Sequence, residues 1–83
     1  MSYSQSDITS LLGKNKLAIS AASSSLYSKI RSGVDTTKIE DQLSKLHLSE
    51  LYLQNISNPE DVDAYIIQRI LKLVNDFVKI VSL

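Results

Sequence analysis

Apolar residues recur along this chain at spacings of three and four, the period of an amphipathic α-helix, in three runs separated by turn-forming residues. The first run covers about residues 7–31, where Ile8, Leu12, Ile19, Ala22, Leu26 and Ile30 fall on one stripe. Ser6 or Asp7 can cap its start. Arg31-Ser32-Gly33 reads as its stop, with a cation in the last turn and a glycine suited to the left-handed residue that closes many helices. Between Ala18 and Ser25 every residue except Ile19 is small, which gives only fair helix propensity but permits close approach of a neighbour.

The second run, 37–55, opens with Thr37 and Glu40 at the spacing of a capping box. Ile39, Leu43, Leu46 and Leu53 form its stripe, and Leu48, Leu51 and Tyr52 widen it on one flank. The third, 59–81, has the plainest start: Asn58 suits the cap, Pro59 the first helical position, and Glu60 and Asp61 the positive end of the helix dipole. Beyond a polar stripe at Gln68, Lys72, Asn75 and Lys79 it is apolar nearly all round. The β-branched run from Phe77 to Val81 also suits a strand, but no other segment offers a sheet, so helix is the prediction. The short links at Ser32–Asp35 and Ile56-Ser57 make consecutive helices antiparallel neighbours. The expected fold is all-α: one domain over residues 1–83, either an up-down-up three-helix bundle or a long antiparallel hairpin with a looser first helix.

Length and composition narrow the function. A domain of 83 residues buries a modest share of its surface, and without cysteine it has neither disulfides nor thiolate metal sites to reinforce a thin core. His47 is the one histidine and no carboxylates stand at a metal-ligand spacing, so no metal or cofactor is expected. Nine basic and nine acidic residues cancel, which removes any global field toward nucleic acid or an acidic membrane. The polar segment Met1–Asp7 has no apolar core of a secretion signal, and a cytoplasmic location is expected. Residues 62–83 are long enough to span a bilayer, but Asp63, Arg69, Lys72, Asp76 and Lys79 interrupt them at intervals too costly for hydrocarbon.

Catalysis has little to stand on. His47, with Ser44 and Glu50 three residues to either side, lies on one helix, whereas triads are assembled from separate segments. Asp61 and Asp63 point to different faces of a helix, and no phosphate loop, nucleophile elbow or His-Glu-x-x-His pattern occurs, so no enzymatic activity is expected. Asn55-Ile56-Ser57 fits a glycosylation sequon, a chance match in a chain expected to stay in the cytoplasm.

Two surfaces remain. Lys14, Lys16, Lys29 and Arg31, with Tyr27 among them, would serve a small nucleic-acid-binding regulator. The larger feature is the apolar excess of the second and third helices, which a first helix of small side chains cannot cover. It predicts a non-catalytic protein-interaction module that self-assembles or binds a partner, as an assembly subunit, adaptor or chaperone does. Ile66, Ile70, Leu73 and Phe77 are its expected anchors, with Leu48, Leu51 and Tyr52 beside them. Ser44-Lys45-Leu46, followed by Asp61-Val62-Asp63-Ala64 and Ile66-Ile67-Gln68, resembles the C-terminal half of type III secretion needle subunits, helical hairpins that polymerise. The resemblance covers less than half of the chain. It breaks down where the third helix continues to Leu83 and where the proline turn follows, rather than precedes, the Ser-Lys-Leu stretch.

Overall fold

Three helices account for most of the chain in the computed structural model, which describes residues 3–81, with side chains through Phe77. They are α1 (Gln5–Ser32), α2 (Thr37–Gln54) and α3 (Ala64–Val81), with a single 3-10 turn at Pro59–Asp61. The helices pack as an up-down-up bundle about 45 × 17 × 15 Å, whose long dimension is that of α1. No strand occurs among the described residues, and Phe77–Val81 is helical.

The helix ends are made by short polar side chains, often not the expected ones. At α1 the cap is Ser4: its hydroxyl accepts from the Asp7 amide at 3.1 Å while the Asp7 carboxylate accepts from the Ser4 amide at 2.9 Å. This reciprocal pair closes the first turn. The Ser4 amide, then the Ser4 hydroxyl, hold the Asp7 carboxyl below its ordinary value of 3.8. Gly33, with φ 74°, ends α1 in the left-handed conformation expected of it. At α2 the spacing of Thr37 and Glu40 forms no capping box. Asp35 takes both the Thr37 hydroxyl (2.7 Å) and the Thr37 amide (3.1 Å), two hydrogen bonds that also lower its pKa.

The start of α3 differs most from expectation. Asn58 does cap, accepting from the Glu60 amide at 3.1 Å, but it caps only the 3-10 turn. Val62 is extended, and the half-buried Val62 side chain packs onto the core while Glu60 and Asp61 stay exposed. A second cap then starts α3: the Asp63 carboxylate accepts from the Tyr65 amide at 2.9 Å and its carbonyl from the Ile67 amide at 3.1 Å. Burying Val62 wins over continuing one helix from Pro59.

The core follows a heptad rhythm. Ile8, Leu11, Asn15, Ala18 and Ala22 are the buried positions of α1, and Ile39, Gln42, Leu46, Ser49 and Leu53 those of α2, both alternating steps of three and four. On α1 the true seam therefore includes Leu11 and Ala18, with Leu12, Ile19 and Leu26 on its flanks. One apolar cluster, near the α2–α3 connection, joins Ile8, Leu11, Leu53, Ile67 and Ile70. The other joins Ala18, Ala22, Ile39 and Leu46, and Leu73 and Phe77 pack against it. The alanines let α2 approach α1 closely.

Polar residues punctuate these seams. The Asn15 amide nitrogen donates to the Leu46 carbonyl across the α1–α2 interface at 2.9 Å, and that of Gln42 donates to the Leu73 carbonyl across α2–α3 at 3.0 Å. Counted from the Asn15 contact, antiparallel α2 begins level with about Ser24. Roughly 12 Å of α1 thus extends past it at 1.5 Å per residue. The overhang explains why Tyr27 and Ile30 are exposed, contrary to the helical stripe that included Ile30.

Asn15 is fully buried and its Oδ1 has no hydrogen-bond partner. Leu46 lies inside α2, where its carbonyl is already served by the helix. Asn15→Leu should therefore raise the unfolding free energy by about 1 kcal/mol in urea titrations, since it removes an orphaned polar atom without creating another. Asn15→Asp should lower it by about 3 kcal/mol or more, because it buries a charge without a cationic partner. At the α3 start, Asp63→Ala should cost about 1 kcal/mol and reduce helicity by circular dichroism, and Asn58→Ala should cost less because it caps one short turn.

Candidate functional site

Between α2 and α3 an open groove encloses about 470 Å³ on the side away from α1's seam. Its floor is formed by the buried residues Gln42, Ser49 and Ile70. Ser49 is self-satisfied, donating to the Lys45 carbonyl at 3.0 Å, and Gln42 is held by its bond to Leu73. Half-buried Tyr52, Ile66 and Leu73 make the walls. Leu48 stands at the edge, 65% exposed, and Leu51, 56% exposed, lies one turn beyond it on α2. Lys45, Arg69, Lys72 and Asp76 complete the rim.

The heptad spacing accounts for this arrangement. On α2 the seam positions turn toward α1 and α3, and Leu48 and Tyr52 follow Gln42 and Ser49 around the helix toward α3's flank. On α3 Ile67 enters the core and Ile70 closes the floor between core and groove, while Ile66 and Leu73 make the groove wall. Lys45 is held by Asp41, one turn earlier, at 3.0 Å, an exposed pair worth little to stability. Arg69 lies over the Tyr65 ring at 5.8 Å and, like Lys72, has no carboxylate partner among the described residues.

The seven expected interface residues divide accordingly. Leu48 and Leu51 are exposed, and Tyr52, Ile66 and Leu73 are half-buried with one side toward the groove. Ile70, only 4% exposed, belongs to the monomer core, and Phe77 packs within the same chain against Ala18, Ala22, Ile39 and Leu46. Much of the apolar breadth of α3 is thus absorbed by its position in the cleft between α1 and α2. Val78, Ile80 and Val81 lie outside the described side chains. The exposed apolar surface among the described residues falls chiefly on α1 and α2, at Leu17, Tyr27, Ile30, Leu48 and Leu51, with Val34 in the loop between them and Tyr65 and Leu71 on α3. Sequence reading missed Leu17, because an isolated leucine outside the stripe carries no periodic signal.

The four cations of the alternative reading do not share a face. With about 100° between successive residues, Lys14 and Lys16 project about 160° apart, Lys29 falls on the side of Lys14 and Arg31 on that of Lys16. Arg31 lies over the Tyr27 ring at 5.8 Å. His47 is exposed on α2, and among the described residues no three His, Asp or Glu side chains gather as a metal site would require. No described helix is long and apolar enough to cross a membrane. Compared with protein-family models, curated proteins and solved structures, the chain matches none, and the likeness to needle subunits gains no support.

The division of the seven residues has a direct check. Leu48→Asp should leave the thermal transition within about 0.5 kcal/mol of wild type, as exposed positions do. Ile70→Ala should cost about 2–5 kcal/mol through the cavity it leaves.

Proposed function

We propose that the protein is a non-catalytic helical interaction module, and that its working surface is the groove between α2 and α3. The observation that carries this reading is Leu48 at the edge of a preformed groove walled by Tyr52, Ile66 and Leu73. An exposed leucine alone would mean nothing. One that continues an apolar concavity gives a partner both a pocket and an anchor, the usual anatomy of an interaction hot spot. Against an enzyme speak the isolation of His47 on an exposed helix face and the lack of any paired acid and base in the groove. The cysteine-free composition suits a reducing compartment such as the cytoplasm. Self-assembly and binding of a different protein are both forms of this reading, and adaptor, chaperone and assembly roles all use such a surface.

Nucleic-acid binding is the weaker alternative, since Lys14, Lys16, Lys29 and Arg31 are split between opposite sides of α1 and cannot track one phosphate backbone together. The test is saturation of the groove with a spectroscopic reporter. An environment-sensitive fluorophore attached on the groove rim at Lys45→Cys, in this otherwise cysteine-free chain, should respond to a binding partner or to a second copy, and the response should vanish when Leu48→Asp is added. A response untouched by Leu48→Asp, or a salt-dependent response to duplex DNA or RNA alone, would overturn the groove as the working surface.

A further inference from the structure

We infer that the occupant of the α2–α3 groove is an acidic amphipathic helix of another protein, rather than a second copy of this chain; the inference rests on the groove being the working surface. Three features choose the occupant. The first is charge. Asp41 already holds Lys45, so the rim presents Arg69, which lies over Tyr65 and keeps its full charge, and Lys72 against the single carboxylate of Asp76, a net charge of one positive. Opposite charge on the partner would be stabilising and like charge would be excluded.

The second is shape. From Ile66 to Asp76 the groove runs along eleven residues of α3, ten steps or about 15 Å at 1.5 Å per residue, roughly three helical turns. An incoming helix would bury anchors spaced at three, four and seven residues against Tyr52, Ile66 and Leu73, and it would cover Leu48 at the edge. An extended strand finds no partner here, because the backbone hydrogen bonds of both walls are used within their own helices. A small anion would satisfy the cations but leave Leu48 wet.

The third is what this chain can offer itself. Its exposed apolar residues on α1 stand among cations: Leu17 beside Lys16, and Tyr27 and Ile30 beside Lys29 and Arg31. On α3, Leu71 adjoins Lys72, and Tyr65 stands between Arg69 and Asp63. Leu17, Tyr27, Ile30 and Leu71 would thus bring positive charge to a positive rim, and Tyr65 would bring both signs. Leu51, beside Glu50, and Val34, beside Asp35, are the exceptions: Val34 sits in the loop between α1 and α2 and offers no helical face, and Leu51 is a single anchor one turn beyond Leu48.

A display library of 18-residue helical peptides, with fixed apolar anchors at three-, four- and seven-residue spacings and flanks randomised among Asp, Glu, Lys, Arg, Ser and Ala, tests this. Selection on the intact protein should enrich Asp and Glu flanks. Winning peptides, measured by fluorescence anisotropy, should lose at least tenfold in affinity with Leu48→Asp and with the double variant Arg69→Glu, Lys72→Glu. Circular dichroism should show both variants folded as wild type. The double variant should instead accept the same peptides with Lys in place of Asp and Glu, a reversal that mere structural damage would not produce. Enrichment of basic or neutral flanks would overturn the charge assignment while leaving the groove reading intact. A self-associated protein in sedimentation equilibrium, made monomeric by Leu48→Asp, would overturn the occupant in favour of a second copy. Failure of any groove-dependent peptide to emerge, with a monomeric protein, would overturn the groove reading and the inference together.

Discussion

The hydrogen bond from the Asn15 amide to the Leu46 carbonyl is the buried polar tie that marks how α1 lies on α2, and the rest of the bundle is packed around it. Apolar seams built from alanine, leucine and isoleucine at heptad spacing slide by one turn at little cost, because each register offers similar packing. A buried amide must meet an acceptor, and the Asn15–Leu46 bond meets it in the observed register at some expense in stability; a one-turn slide would offer Asn15 another α2 carbonyl but would move Gln42 off Leu73, so the two amide bonds together mark this register. With α1 and α2 held there, Gln42 is placed to reach the Leu73 carbonyl, and α3 is fixed in the cleft. The remaining Asn15 oxygen, buried without a partner, is the cost of that specificity.

The groove is a consequence of the same register. Because α3 turns Ile67 and Ile70 inward between α1 and α2, Ile66 and Leu73 are left on its shoulder, opposite Tyr52 and Leu48 of α2. The two apolar clusters are completed within one chain, with Tyr52, Ile66 and Leu73 packed against them on one side and open to the groove on the other, while Leu48 at the edge belongs to neither cluster. Of the groove's charged rim, Lys45 comes from α2 and Arg69, Lys72 and Asp76 from α3, whereas the excess of acidic residues lies in the segment from Asp35 to Asp63.

Element type and topology were legible in the sequence because the three apolar runs are long and strongly periodic and the turns carry Gly33 and Pro59. The detail was not. The seam of α1 passes through Asn15, an amide in the middle of an apolar stripe, and hydropathy alone steps around such a residue to Leu12 and Ile19 on its flanks. The start of α3 was misplaced because Asn58-Pro59 is a sound local signal, and only burial of Val62, a tertiary effect, shows that Asp63 takes over the cap. Of the candidate site, Leu48, Leu51, Tyr52, Ile66 and Leu73 were found from breadth of the apolar arc. That breadth cannot tell a core position from a groove wall, which is why Ile70 and Phe77 were grouped with them.

Register held within a single chain is the central claim, and the Asn15 side-chain amide reports on it directly. In solution NMR its two Nδ2 protons should be protected from exchange with solvent and should show nuclear Overhauser contacts to Leu46 and its neighbours on α2, unchanged over a hundredfold range of protein concentration. An Asn15 amide that exchanges freely, or whose contacts to α2 appear only as concentration rises, would contradict the account, because the register would then be set between chains or not at all.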